Sequence, residues 1–328
     1  MTHSQFKAIA IIGGGVAGMS CALWLKHLGF TPIIIEQNAH LGGQLCHLDR
    51  INRWVLGMPN QTSRELAEHY EQHINLENIA TQTATKLIDI TPRATHLNLT
   101  LKQNAQKNIL TVSAMVIATG VTNVGAEIFT ALPGFETALA STLISFFPLD
   151  HLSFLSQAPH KVIAVVGGGD NAHYTALDLA AAGAKVIFLV RGHAKAKPYL
   201  KQQLRAWLDT GMVVEYTQTT IRAFHLLANK LELQLSNGQE YLVDNVFVRA
   251  GFKPNTEFLL NQPKLSSIVS NSRYINTDAD KCTALPNIYA VGDVTSPHHQ
   301  SVVHALADGA LAAQTISERI NNDGIKHQ

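Results

Sequence analysis

Short unbroken apolar runs recur along this chain, each closed by glycine or by a polar residue. Ala8–Ile12 runs into Gly13-Gly14-Gly15, then into a helical stretch ending near Leu28, then into Pro32-Ile33-Ile34-Ile35-Glu36. A run of this length without alternation reads as a strand covered on both faces, as in a parallel sheet. The same order returns as Val162–Val166, Gly167-Gly168-Gly169, a helical stretch and Lys185–Val190. One offset of 154 residues (167 less 13) relates Gly13 to Gly167, Gly15 to Gly169 and Gly29 to Gly183. This spacing predicts a duplicated strand–helix–strand unit.

Other patterns fill the space between and after the copies. Thr62-Ser63-Arg64-Glu65 has the form of a capping box, and Leu66, Tyr70 and Ile74 follow at helical spacing. Alternating segments around 85–90, 95–101 and 109–113 predict a small antiparallel insert. Met115–Gly120 is a buried strand ending in glycine. After the second copy, Leu231–Leu235 alternates, and Ser236-Asn237-Gly238-Gln239 predicts a type I′ hairpin. Val246–Gly251 and Pro286–Asp293 are two more strands ending in glycine or Gly-Asp. A helix from about Ser301 to Ile320 places Val302, Leu306, Ala313 and Ile316 on one face. The tail has no glycine-rich unit of its own, so it returns to the first domain. The fold class is α/β, with two Rossmann-like domains, the second inserted into the first. The predicted boundaries are 1–120 with 249–328, and 121–248.

Composition narrows the class. The 328 residues allow about two domains. Apolar residues make up 46% and charged residues 15%, which supports real cores and argues against extended disorder. The net charge of +1 argues against a nucleic-acid binder. No run approaches the ~18 apolar residues of a membrane span. Met1–Lys7 lacks the apolar stretch of a signal peptide, so the expected location is cytoplasmic. Three cysteines without a Cys-x-x-Cys exclude a disulfide framework, and sixteen scattered histidines give no metal-ligand spacing.

The glycine turns carry the candidate chemistry. Gly13 and Gly167 permit the tight turn out of the strand. Gly15 and Gly169 leave room for a pyrophosphate, while Gly18 and Ala172 let the helix pack on the strand. The phosphates then face the helix N-terminal N–H groups of Val16-Ala17 and of Asp170-Asn171. Glu36, followed by Gln37, ends the second strand of the first copy, eighteen residues after Gly18. A carboxylate there accepts from a ribose 2′-hydroxyl, which suits FAD or NAD. The second copy has Val190 and Arg191 instead, with Lys195 and Lys197 nearby, and leans towards the 2′-phosphate of NADP. The two lysines are equally readable as a solvated loop.

With Glu36, the turn Gly42-Gly43-Gln44-Leu45, Ala118-Thr119-Gly120, Gly251-x-x-Pro254-Asn255-Thr256 and Gly292-Asp293, both glycine motifs resemble those of the thioredoxin-reductase-like flavoproteins. These form the low-molecular-weight branch of the pyridine nucleotide-disulfide oxidoreductases. The resemblance runs from about Ala8 to Ile320. It implies an FAD domain with an inserted NADPH domain, usually as a homodimer. It also implies that FAD lies along Gly13, Gly15, Gly18, Glu36, Gly43, Gln44, Thr119, Gly120 and Asp293. His299-Gln300-Ser301 matches the family's Arg-Gln-Ala segment beside the flavin. In the family the inserted domain rotates, which places hinges near Thr119-Gly120-Val121 and Arg249-Ala250-Gly251.

Two departures stand out. The family's dithiol, which takes electrons from the flavin, belongs just before the second glycine motif. Here that stretch reads Ser145-Phe146-Phe147-Pro148-Leu149-Asp150-His151-Leu152, and no cysteine lies between Cys46 and Cys282. Cys46 follows the Gly-Gly-Gln-Leu turn and is a redox candidate, though cysteine is also a common small buried residue. Cys21 and Cys282 read as structural. The family's arginine-rich NADPH pattern is also reduced to Arg191, with Ala196 at the final arginine position. The pyridine nucleotide is therefore NADPH or NADH.

The resulting expectation is an FAD-dependent oxidoreductase that passes electrons from NAD(P)H through flavin directly to an acceptor. The acceptor is unnamed by the sequence; a small protein such as ferredoxin is one class. No side chain is needed as an acid–base catalyst. Two other readings stay open. One is a flavoenzyme reduced by a protein donor, with a degenerate nucleotide site. The other is a non-catalytic FAD-binding redox protein.

Overall fold

The computed structural model describes residues 8–48, 50–147 and 150–326. Met1–Lys7, read above for a leader, and Pro148 and Leu149 of the segment replacing the dithiol lie outside them. The chain forms two compact units. One comprises the residues up to Thr122 and from Pro254 onward; the other is Asn123–Lys253.

In the first unit, β1 (Ala8–Ile12), α1 (Val16–His27) and β2 (Thr31–Ile35) form the predicted strand–helix–strand. Helix α2 (Ser63–Leu76) then leads to β3 (Ala80–Gln82). The capping box is formed: Glu65 N–H donates to Thr62 Oγ1 at 3.2 Å and Thr62 N–H to Glu65 Oε2 at 2.8 Å. β4 (Thr85–Pro92), β5 (Leu97–Gln103) and β6 (Gln106–Val112) make the expected antiparallel insert, and β7 (Ala114–Ile117) follows.

The strands β1, β2 and β7 are parallel, with Ala8 opposite Thr31 and Ile9 opposite Ala114. Burial on both faces explains their unbroken apolar sequence. Ile9 and Ile11 pack with Cys21, Leu25 and Ile316 on the helical side. Ala10 and Ile12 pack with Leu87, Leu97 and Leu99 of the insert. The unit thus has helix, parallel sheet and antiparallel sheet as three layers.

The second unit repeats this plan. After β8 (Val121–Asn123), which falls at the boundary between the units, α3 (Phe135–Ala140) leads to β9 (Ile144–Ser145) and α4 (Asp150–Phe154). β10 (Val162–Val166), α5 (Asp170–Ala181) and β11 (Lys185–Val190) are the second copy. α6 (Pro198–Asp209) and β12 (Val213–Thr217) follow. β13 (Ile221–Leu227), β14 (Lys230–Leu235) and β15 (Glu240–Val243) are the antiparallel layer, and β16 (Asn245–Val248) returns to the parallel sheet. That sheet runs β12-β11-β10-β16-β9.

The hairpin between β14 and β15 differs from expectation. Type I′ needs positive φ at both central residues, yet only Gly238 is left-handed, at φ +83°. Gly238 N–H donates to Leu235 O at 3.0 Å and Leu235 N–H to Gln239 O at 2.9 Å. The loop is a three-residue turn closed by a glycine bulge.

After β17 (Phe252–Pro254) and α7 (Glu257–Leu260) come β18 (Ile288–Ala290) and α8 (Val302–Lys326). β18 joins β7, giving the first sheet the order β18-β7-β1-β2-β3. β7, β1, β2 and β3 match β16, β10, β11 and β12 copy to copy, while the last edge strand is β18 from the tail in one sheet and β9 from before the repeat in the other. Helix α8 crosses α1 closely. A Cβ at Gly309 would sit 2.3 Å from Ala17 O, and Ser20 Oγ donates to Leu306 O at 2.7 Å. Among the described residues, no helix is long and apolar enough to cross a membrane.

Candidate dinucleotide sites

In each sheet the strand order reverses between two central neighbours, β1 and β7 or β10 and β16. Ligands of open parallel sheets bind at that crevice, outside the carboxyl ends of the strands. In the first unit the predicted residues gather there. Gly13–Gly18 follow β1, Glu36 follows β2, Ala118–Gly120 follow β7, and Gly292-Asp293 follow β18.

The three glycines of the first turn have separable causes. Gly13 has φ +110°, and a Cβ on it would lie 2.4 Å from Ala118 O. A Cβ on Gly18 would lie 2.0 Å from Gly13 O. Both are therefore demanded by the protein itself. Gly15 is not: its φ is −75°, and the nearest atom to a Cβ would be Gly43 Cα at 4.0 Å. The chain leaves open space where a side chain would fit. No side chain caps α1 and no acid lies in its first turn, so Val16, Ala17 and Gly18 present a helix N-terminus to that space. This is the arrangement a pyrophosphate fills.

Glu36 is 5% exposed and closely held. Its Oε2 accepts from Gly14 N–H, and its Oε1 from the backbone N–H and Nδ2 of Asn38, each at 2.8 Å. Three of about four acceptor directions are taken. Gln37 beside it is exposed. The turn Gly42-Gly43 leans on the glycine loop, with Gly42 N–H donating to Gly14 O at 2.8 Å. Gln44 Nε2 donates to Val121 O at 2.7 Å, and Leu45 is buried.

Thr119 and Asn255 bind each other twice. Thr119 Oγ1 donates to Asn255 O at 2.9 Å, and Asn255 Nδ2 to Thr119 O at 2.8 Å. The backbone amide of Asn255 also donates to Gly120 O at 3.0 Å. Gly292 N–H donates to Asp308 Oδ2 at 3.1 Å, while Asp308 Oδ1 pairs with Lys281 Nζ at 2.7 Å. Burial, with Asp308 close by, raises the Asp293 carboxyl to about 6. Asn255, Asp308 and Lys281 carried no assigned role in the sequence. Asn255 lies inside a quoted motif, but the other two are set by tertiary contact and leave no local signal.

His299, Gln300 and Ser301 lie together before α8. Ser301 Oγ accepts from His304 N–H at 3.3 Å and so caps the helix. The exposed His299 is left-handed, at φ +59°, and stacks on His304 with centroids 5.6 Å apart. Gln300 Nε2 donates to Ser296 O at 3.2 Å.

The second turn repeats the geometry with a different charge pattern. A Cβ on Gly167 would lie 2.1 Å from Arg249 O, while one on Gly169 would meet nothing within 4 Å. Asp170, the first residue of α5, is held across the turn: its Oδ1 accepts from Lys197 N–H at 2.9 Å and its Oδ2 pairs with Lys197 Nζ at 3.4 Å. Lys195 N–H and Ala196 N–H donate to Gly168 O at 2.7 and 3.2 Å. The Lys195–Lys197 stretch is thus folded onto the turn, and Lys197 is committed to Asp170. Arg191 and Lys195 are exposed, and Asn171 and Ala172 begin the helix.

Arg249, at the end of β16, is 6% exposed. Its Nε donates to Thr175 Oγ1 at 3.3 Å and its Nη1 to Val248 O at 3.0 Å, while Nη2 has no partner. Burial lowers its pKa to about 10. The equivalent position of the first copy is Ala118.

The cysteines are free and separate. Cys21 is buried, and burial pushes its thiol well above the usual range. Cys46 is half-buried and donates to Leu41 O at 3.2 Å; burial, with Glu71 nearby, raises its pKa also. Raised thiols are poor nucleophiles, so the local environment weighs against the redox reading of Cys46.

Comparison with known proteins places this geometry. The model of the family described as pyridine nucleotide-disulphide oxidoreductase matches residues 7–309. The chain belongs to that family. Membership implies FAD and a pyridine nucleotide as cofactors, and the two glycine cradles fit them. A component of the alkyl hydroperoxide reductase of Staphylococcus epidermidis is 26% identical over 310 residues, covering 93% of this chain and 57% of that protein. The chain thus spans little more than half the length of that relative. In three dimensions it is similar to thioredoxin reductase of Lactococcus lactis, with TM-score 0.79 and 21% identity over 96% of this chain and 98% of that one. It is also similar to a bacillithiol disulfide reductase from Bacillus cereus, with TM-score 0.78 and 19% identity over 96% and 100%. These structures show the shared fold. The chain is thus a pyridine nucleotide-disulphide oxidoreductase family member with two Rossmann-like domains, in the fold that thioredoxin reductase also has.

Proposed function

We propose that this oxidoreductase passes electrons from NAD(P)H through FAD directly to an acceptor, without a dithiol relay. The observation that carries the reading is the second cradle. Gly169 leaves open space before an α5 N-terminus that no side chain caps, although Ser145–Leu152 holds no cysteine. A nucleotide turn is retained where a thiol pair is not.

In this reading, Val16, Ala17 and Gly18 N–H groups hold the FAD pyrophosphate. Glu36 gives its remaining acceptor direction to the adenosine ribose, beside Gln37. Gly43, Gln44, Leu45, Thr119 and Gly120 line the cofactor, with Asn255 holding the Thr119-Gly120 turn. Gly292-Asp293 faces the ribityl and pyrophosphate region, and His299, Gln300 and Ser301 lie at the flavin end. When bound, FAD supplies the relay between hydride donor and acceptor. In the second unit, Gly167, Gly169, Asp170, Asn171 and Ala172 form the NAD(P)H cradle, and Arg191 and Lys195 are the cations open to a 2′-phosphate.

Arg191→Ala is expected to slow flavin reduction by NADPH about tenfold and leave NADH unaffected, since a charge-assisted contact is worth about 1.5–3 kcal/mol. Equal slowing with both nucleotides would remove Arg191 from phosphate recognition. The function itself is tested by anaerobic mixing of the FAD-loaded protein with each nucleotide. Rapid flavin bleaching supports it, and a flavin reducible only by dithionite refutes it. A second reading, reduction by a protein donor, is favoured by one observation: α5 carries an acid, Asp170, in its first turn, where α1 carries none.

A further inference from the structure

Arg249 is a buried cation without a role in the reaction proposed above. It follows β16 directly, and its backbone faces the second glycine turn. Its amide donates to Val166 O at 2.6 Å, and its carbonyl oxygen is the atom that a Cβ on Gly167 would meet, at 2.1 Å.

The side chain runs along the sheet face that carries α5. Its guanidinium lies 5.4 Å from the centre of the Phe247 ring, two residues back on the same face. Phe247 shares a core cluster with Ala172 and Ala176 of α5. Arg249 Nε donates to Thr175 Oγ1 at 3.3 Å, and Thr175 Oγ1 donates on to Asn171 O at 2.8 Å, in the first turn of α5. Thr175 is only ~7.5 Å along the axis from Asp170, where the helix starts.

This placement is unfavourable for the protein alone. The residue is 6% exposed, and its charge stands near the positive end of a helix dipole. Its Nη2 reaches no acceptor among the described residues, which leaves a buried donor unmet. Arg249 is still a cation, since burial lowers its pKa only to about 10. The neighbouring charges do not cancel it. Asp150, at the start of α4, acts on it through space, but is exposed and accepts from Ser145 Oγ at 2.5 Å. Asp178 accepts from, or pairs with, His151 Nε2 at 2.9 Å. Asp170 pairs with Lys197. An anion at the turn would offset these costs.

We propose that Arg249 is the cation that draws the pyrophosphate of a pyridine nucleotide to the second glycine turn. The proposal rests on the function proposed above and adds a residue to that same site. Arg249 acts through space, behind the α5 N–H groups that meet the phosphates, and a buried charge is little screened by salt. NADH and NADPH share the pyrophosphate, so Arg249 raises affinity for both and does not select between them. Arg191 has the opposite expectation, because only NADPH carries a 2′-phosphate. The first copy has Ala118 in the equivalent place and lacks this cation.

The test uses the full chain loaded with FAD. NAD+ and NADP+ are titrated into it by calorimetry, and thermal midpoints are read with and without inorganic pyrophosphate at matched ionic strength. Arg249→Met removes the charge and keeps most of the bulk. It is expected to bind both nucleotides about tenfold more weakly, with an unliganded midpoint equal to or above that of wild type. Arg249→Lys keeps the charge and is expected to bind both within about threefold of wild type. Pyrophosphate should raise the midpoint of wild type and Arg249→Lys more than that of Arg249→Met.

Wild-type affinity for both nucleotides in Arg249→Met would overturn the inference. So would equal losses of affinity and of unliganded midpoint in the Met and Lys variants, which would make Arg249 a packing residue of α5. Weakening of NADP+ alone would overturn it by moving Arg249 to the 2′-phosphate. If NADH and NADPH fail to bleach the flavin but the three proteins keep the expected order of affinity, the proposed hydride donor is wrong and the phosphate role of Arg249 stands.

Discussion

Gly15 and Gly18 belong to one motif, yet they answer to different constraints. A Cβ at Gly18 collides with backbone, at 2.0 Å from Gly13 O, whereas a Cβ at Gly15 meets only Gly43 Cα, at 4.0 Å. Gly18→Ala should therefore destabilise the apoprotein by about 1–3 kcal/mol, because the helix must move off the strand. Gly15→Ala should leave apoprotein stability unchanged or slightly raised and still reduce bound FAD. Thermal midpoint and flavin content, measured on both variants, separate the two effects. Equal loss of stability in both would show that Gly15 serves packing rather than a ligand.

Asp293 gives a second residue-level prediction. Its carboxyl is raised from 3.8 to about 6, first by burial and then by Asp308. A raised acid binds its proton more tightly in the folded state. Its contribution to stability is thus full below the unfolded value and is lost as pH rises through the folded one. Between pH 4 and pH 6, apoprotein stability should fall more steeply in wild type than in Asp293→Asn. Parallel stability curves for the two proteins would contradict this.

At the scale of elements, the crossing of α1 and α8 is a tightly constrained contact of the first unit. A Cβ at Gly309 would lie 2.3 Å from Ala17 O and 2.7 Å from Cys21 N. Gly309→Ala should lower the thermal midpoint and flavin content together, since Ala17 belongs to the phosphate-facing turn of α1. An unchanged midpoint would mean that the helices separate freely.

This scale also shows what a sequence can tell. β1, β2, β10 and β11 are legible because both faces are buried, which leaves a long apolar run. β8, β9 and β17 are not, since two or three residues show no period. Helix α6 is written in Pro198 and the spacing of Leu200, Leu204 and Trp207, a signal hidden behind the basic loop that precedes it. Asn237-Gly238 misleads because loop length, not the dipeptide alone, selects the turn. In the sites, glycines with fixed spacing are readable. The Lys197–Asp170 pair is not, because it depends on how a loop folds back over a turn 27 residues away.

For the whole molecule, duplication is the organising fact. Both units share the order of four sheet strands and one glycine cradle, and they diverge in charge: Glu36 against Val190, and Ala118 against Arg249. The proposed function uses both cradles, one for each dinucleotide. The direct test is anaerobic stopped-flow mixing of the FAD-loaded protein with NADPH and with NADH, followed at the visible absorption of the flavin. Rapid bleaching by at least one nucleotide is the predicted result. A flavin that stays oxidised with both, and bleaches only with dithionite, would contradict electron transfer between the two cradles.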